Sequence, residues 1–215
     1  SFLFIEVTLA KTVLVTGSNR GMGLEFVSQY AERGWNVIAT SRSPSDDNDL
    51  INLAKANPNI QIEKMDVTNV NEILSLAGKY ENQSIDLLIN NAGMSGDRAN
   101  QAWGQIDKNE FEKLMSINAF GALKVSEAFS KNISMSEEKK IVAISSVAGS
   151  ISSMGRPSSL PILSISKAAL NMAMKTIALR LKDDGVTVIL MNPGAVDTRA
   201  LRQAFGLSLE EAEKA

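Results

Sequence analysis

The 215-residue chain contains no cysteine and no histidine. The first absence excludes disulfides and thiolate metal sites, and the second excludes imidazole ligands and a histidine general base. Whole classes of hydrolase and metalloenzyme fall away, and no metal site is expected. Aromatics are 5% of the residues, and only Tyr30 and Tyr80 are tyrosines. No basic block and no alternation of basic with aromatic residues argues for nucleic acid, and the formal net charge is −2. Long apolar runs are missing too. The opening SFLFIEVTLA is broken by Glu6, has no basic leader and falls far short of a membrane span. It reads as an edge strand or an extension. With no targeting segment in view, a cytoplasmic location is expected.

What is present suits one α/β domain over residues 1–215, with 44% hydrophobic residues and no repeats. Strand signals fall at Thr12–Thr16, Asn36–Ala39, Ile60–Lys64, Ile85–Ile89, Lys140–Ser145 and Thr187–Met191. Helical stretches fall between them, at Gly23–Glu32, Asp49–Ala56, Val70–Tyr80, Asn109–Ile133 and Leu160–Lys182. This alternation predicts a doubly wound parallel sheet with its ligands at the carboxyl edge. The most telling segment is Lys11–Leu24, KTVLVTGSNRGMGL. An apolar run, Val13–Val15, gives way to Gly17, Gly21 and Gly23, then to helical spacing through Leu24, Phe26 and Val27. A strand, a glycine turn and a helix start make a site for a dinucleotide pyrophosphate, because the backbone can approach closely and the helix end offers free N–H groups. Gly17, Ser18, Asn19, Arg20, Gly21, Met22 and Gly23 are the candidate contacts.

The spacing G-x-x-x-G-x-G resembles the TGxxxGxG of the short-chain dehydrogenase/reductase family. Further landmarks follow in chain order: Asp66-Val67, Asn90-Asn91-Ala92-Gly93, Asn118, Ser145-Ser146, Ser166-Lys167 and Asn192-Pro193-Gly194. The resemblance spans Lys11 to Thr198. ATSR around Arg42 and SKAALN at Ser166–Asn171 are most similar to the carbonyl-reductase and C-factor branch. It implies a Rossmann-type sheet in the order 3-2-1-4-5-6 with helices on both faces. Members of the family continue to a further edge strand. Here Ser208–Glu211 has the form of a capping box, and residues 199–215 read as a truncated or naturally shortened substrate-side segment.

The resemblance also implies a nucleotide and a reaction. A carboxylate at the end of the second strand would favour NAD, but the chain has Ser41 there, then Arg42, with Arg20 in the glycine turn. Two guanidiniums suit a 2′-phosphate, so the expected cofactor is NADP(H). Asp66 and Val67 would meet the adenine, and Ala92 and Gly93 would line the adenosine and the sheet edge. Asn90 would either join them or brace the central strands. Pro193, Gly194, Val196 and Thr198 would face the nicotinamide side. Catalysis in the family rests on Asn, Ser, Tyr and Lys; Asn118, Ser146 and Lys167 match, whereas the tyrosine position is Leu163. The tyrosine moves the proton, the lysine holds ribose and lowers the phenol's pKa, the serine binds substrate oxygen, and the asparagine holds a relay water. Ser164, on a neighbouring helical stripe, could hold a water in the phenol's stead.

A small carbonyl or alcohol substrate is implied, in a mostly apolar pocket from Met94–Gln105, Ile151–Leu160 and Ala195–Phe205. Met94, Trp103, Ile151, Met154 and Leu160 would line it, with Arg98 and Arg156 as polar anchors. A homodimer paired through Asn109–Ile133 and Leu160–Lys182 is expected. Three functions stay open: an NADP(H)-dependent oxidoreductase slowed by the missing phenol, a non-catalytic NADP(H)-binding signalling or scaffold protein, and a changed reaction needing no phenol, such as reduction of an activated alkene or imine.

Overall fold

A computed structural model describes residues 10–155 and 157–194. The expectations placed on Arg156, Val196, Thr198 and the rest of 195–215 lie outside the described residues. Six parallel strands form one sheet in the order β3-β2-β1-β4-β5-β6. They are β1 Thr12–Thr16, β2 Asn36–Ser41, β3 Ile60–Lys64, β4 Leu87–Asn90, β5 Lys140–Ile144 and β6 Thr187–Met191. β4 starts later than the sequence suggests because the Ile85 N–H is committed to the Asn132 carbonyl at 3.1 Å, outside the ladder.

Alternate residues of the inner strands face opposite sides, and both sides are covered. Leu14, Ile38, Leu88 and Ile141 pack on one face with Phe129, Leu170 and Met174. Val13, Val15, Val37 and Ile89 pack on the other with Val27 and Leu50. The helices among the described residues are α1 Gly21–Glu32, α2 Asn48–Ala56, α3 Val70–Lys79, α4 Lys108–Met115, α5 Ala122–Ala128, α6 Ser130–Ser134 and α7 Pro161–Arg180. By length and composition α7 could span a membrane. One face of it, with Leu170, Met174 and Ile177, is buried in the core.

The single helix expected over Asn109–Ile133 is corrected by the structure. α4 passes into a π-helical turn at Ser116–Gly121 before α5, and the backbone breaks again at Phe129 (φ −96, ψ 7) before α6. A π turn widens the helix and re-aims the side chains on it. Here the re-aimed residue is Asn118, buried at 1% exposure. Gly121 permits the arrangement, since a methyl group there would lie 3.0 Å from Val67.

Candidate functional site

The glycine turn after β1 is stitched to the segment after β4. Thr16 Oγ1 accepts the N–H groups of Asn91 and Ala92, each at 3.0 Å, and Asn91 Nδ2 donates to the Thr16 and Gly17 carbonyls, each at 3.0 Å. Gly17 has φ +66, and a methyl group on it would sit 2.9 Å from Ala92 Cα. Only glycine satisfies both the left-handed backbone and the contact. Ser18 is buried, with its hydroxyl donating to the Val15 carbonyl at 2.8 Å and its N–H to that of Thr40 at 3.0 Å. Its side chain therefore builds the turn. Asn19 Nδ2 donates to Asp47 Oδ1 at 3.0 Å, and Ser41 donates to the other oxygen of the same carboxylate. Arg20 and Arg42 are exposed, and among the described residues neither forms an ion pair.

Farther along the edge, Asp66 Oδ1 accepts from the N–H (2.8 Å) and the hydroxyl (2.7 Å) of Thr68, a local turn that places Val67 against Gly121. Asn90 is buried and its amide donates to the Ser126 hydroxyl of α5 at 2.9 Å. That bond ties β4 to α5, as a bracing residue would. Asn90 Oδ1 is buried with no hydrogen-bond partner among the described residues. Gly194 follows β6 with φ +72, and its N–H donates to Asn192 Oδ1 at 3.3 Å.

Two of the three residues matching the family's catalytic set, Asn118 and Lys167, come together beside Gly93. Asn118 accepts the Met94 N–H at 2.8 Å, and its amide donates to the Met94 carbonyl and to the Ser166 hydroxyl, each at 2.9 Å. Lys167 Nζ donates to the Ile144 carbonyl at the end of β5 (2.7 Å). A methyl group placed on Gly93 would lie 3.2 Å from Asn118 Oδ1 and 3.6 Å from Lys167 Nζ, so both side chains reach the same glycine. Burial of the ammonium pulls the Lys167 pKa down from 10.5 to about 8. Ser146, two residues past β5, accepts the Ala148 N–H at 3.2 Å and leads a short 3-10 turn, Val147–Gly149. Gly149 packs on the Lys167 backbone, 2.7 Å from its carbonyl carbon to a hypothetical methyl.

Leu163 occupies the first turn of α7, one turn before Lys167, and is half-buried. Ser164 does not take over the phenol's place. It is buried, and its hydroxyl donates to Ser158 Oγ at 2.8 Å, on the loop side of the helix. Nor do the tyrosines: Tyr30 stacks edge-on with Trp35 at 5.0 Å, and the Tyr80 hydroxyl bonds Gln61 and Glu63 beside β3.

Two residues escaped the sequence reading. One is Asp47, described above. The other is Gln101, fully buried in the loop after β4. Its amide donates to the Ser95 and Asp97 carbonyls (2.8 and 3.2 Å), and its Oε1 accepts the Leu163 N–H at 2.9 Å. The residue preceding α7, Leu160, provides no side-chain cap, so Gln101 satisfies a helix-start N–H from outside. Glu110 of α4 holds the same loop by accepting the Asp97 N–H at 2.7 Å. The apolar residues expected around substrate divide: Leu160 is buried and Met94 half-buried, whereas Trp103 and Ile151 are 95% and 86% exposed.

A parallel sheet of this order, with a glycine turn at the end of its first strand, defines a Rossmann-type dinucleotide-binding protein. Comparison with known proteins narrows the class. The short chain dehydrogenase family matches residues 11–206. The short chain dehydrogenase gsfK of Penicillium aethiopicum is 33% identical over 205 residues, covering 92% of this chain and 80% of that protein. A short-chain dehydrogenase/reductase from Burkholderia multivorans, solved with bound NADP, superposes with a TM-score of 0.82 at 30% identity, covering 90% of this chain and 83% of that one. A carbonyl reductase from Pseudomonas aeruginosa PAO1 in complex with NADP gives a TM-score of 0.79 at 27% identity, with 91% and 88% covered. The chain belongs to the short chain dehydrogenase family of oxidoreductases.

Proposed function

We propose that the chain binds NADP(H) across the glycine turn and transfers hydride to or from a small carbonyl or alcohol substrate, with proton delivery weakened at Leu163. The convergence of Asn118 and Lys167 beside Gly93 carries this reading. The chain's residues fit the nucleotide: the glycine turn between β1 and the start of α1 offers helix-start N–H groups, and Arg20 and Arg42 are exposed cations on that turn and just past β2. Two similar proteins, from Burkholderia multivorans and Pseudomonas aeruginosa, hold NADP.

When bound, NADPH supplies the hydride. Lys167 holds the nicotinamide ribose through its ammonium group, a task that needs no phenol. Ser146 donates a hydrogen bond to the substrate oxygen and stabilises charge that develops there. The proton reaches that oxygen from a water held by Asn118, Lys167 and Ser146, and bulk solvent returns a proton to the hydroxide left behind. Loss of a positioned general acid typically lowers a rate by about 10²–10⁴-fold and leaves the contribution of hydride positioning intact.

A second reading keeps the nucleotide and drops the chemistry, giving a signalling or scaffold protein that responds to NADP(H) occupancy. The observation favouring it is that Ser164 is bonded to Ser158 and no substitute phenol approaches Lys167. Calorimetry with NADPH, a carbonyl panel and a Leu163→Tyr variant separate the two. Turnover by the unaltered chain supports the enzyme. Tight binding without turnover, and without gain in Leu163→Tyr, supports the second reading. Absence of NADPH binding refutes both.

The proposed assembly is a homodimer. Ile165, Met172 and Leu179 recur every seventh residue along α7 and are 48%, 67% and 62% exposed, with Phe120 of the π turn at 44%. Light scattering tests it, and a monomer at micromolar concentration refutes it.

A further inference from the structure

Asp47 stands immediately ahead of α2, where an aspartate side chain ordinarily accepts an N–H from the helix's first turn. It makes no such bond. Its Oδ1 accepts from Asn19 Nδ2 at 3.0 Å, and its Oδ2 accepts from the Ser41 hydroxyl. Ser41 Oγ also accepts the Ser43 N–H at 3.3 Å, so its single proton is committed to Asp47. The two partners lie on different elements. Asn19 belongs to the glycine turn beside Arg20, and Ser41 ends β2 beside Arg42. Asp47 thus sets a negative charge between the segments that carry the two guanidiniums, and it does so in preference to capping its own helix.

We propose that Asp47 is a specificity-determining residue that restrains the chain's preference for phosphorylated nucleotide. The inference rests on the NADP(H) reading above. Two physical effects act in the same direction. The carboxylate repels a 2′-phosphate and offsets part of the attraction of Arg20 and Arg42. It engages the Ser41 proton, which is therefore not offered to phosphate.

The test is a set of calorimetric titrations of wild type and Asp47→Asn with NADPH, NADH, 2′,5′-ADP and 5′-AMP. Thermal melts confirm that the variant is folded. NADPH and 2′,5′-ADP are expected to tighten by about threefold or more, while NADH and 5′-AMP hold or weaken. The gain is expected to shrink between about 0.05 M and about 0.5 M salt, as a charge effect requires. Ser41→Ala, which breaks the bridge and keeps the carboxylate, serves as the second variant and is expected not to raise the NADPH/NADH preference. An unchanged preference in Asp47→Asn, or the same rise in Ser41→Ala, overturns the inference and leaves the NADP(H) reading standing. Wild type that binds none of the four probes overturns that reading itself.

Discussion

Replacing Lys167 with methionine is expected to make the unliganded fold more stable at neutral pH while weakening nucleotide binding. The ordinary lysine pKa of 10.5 falls to about 8 here through burial alone. Holding the charged form therefore costs the folded state roughly 3 kcal/mol at pH 7. Methionine removes that cost and keeps most of the stem's packing. It also strands the Ile144 carbonyl, which loses its 2.7 Å partner, at about 1 kcal/mol. The net gain is about 2 kcal/mol. The sign changes with pH. Below pH 8 the lysine is charged in both states and the penalty is complete. Between pH 8 and 10.5 the folded state has released its proton and the unfolded chain has not, so wild-type stability rises with pH. Above 10.5 only the lost hydrogen bond remains, and wild type is the more stable. Tyr80, whose pKa burial pushes up, makes wild type less stable above about pH 10, but it does so equally in the variant. Urea unfolding of both proteins at pH 7, 8.5 and 10 checks this. A variant that is less stable at pH 7, or a difference that does not move with pH, refutes the reasoning.

Two further substitutions probe the framework of the cleft. Gln101→Ala removes a fully buried side chain and leaves the Leu163 N–H and the Ser95 and Asp97 carbonyls without their partner. Roughly 2–4 kcal/mol of stability is expected to be lost in chemical denaturation. Gly23→Ala would put a methyl 2.1 Å from the Gly17 carbonyl oxygen; the glycine turn must shift, and NADPH affinity is expected to fall at least tenfold by calorimetry, with about 1–3 kcal/mol lost from stability.

Much of the architecture could be read from the chain because its signals are local. TVLVT and TVILM are β-branched runs of strand length, and β1, β3 and β6 coincide with the reading. The glycine turn announces itself through residue types that the backbone requires. The strand order came from the resemblance, not from any local pattern. The break at Ser116–Gly121 carries no such mark. SINAFG has acceptable helical spacing, and the π turn arises because Asn118 is anchored to Met94 and Ser166, residues distant in sequence. Gln101 and Asp47 were illegible for the same reason. One sits in a polar loop and the other at an ordinary helix start, and each gains its role from a partner on another element.

The anchoring of the loop after β4 has a mechanical consequence. Glu110 grips it through the Asp97 N–H and Gln101 clasps it to the root of α7, so that loop travels with the body of the protein. Ser150–Gly155, leading towards α7, is knit instead by exposed serine-to-serine contacts such as the one of 2.9 Å between Ser150 and Ser153. One connection is pinned by buried side chains and the other by hydroxyls open to water, so local opening is easier in the second.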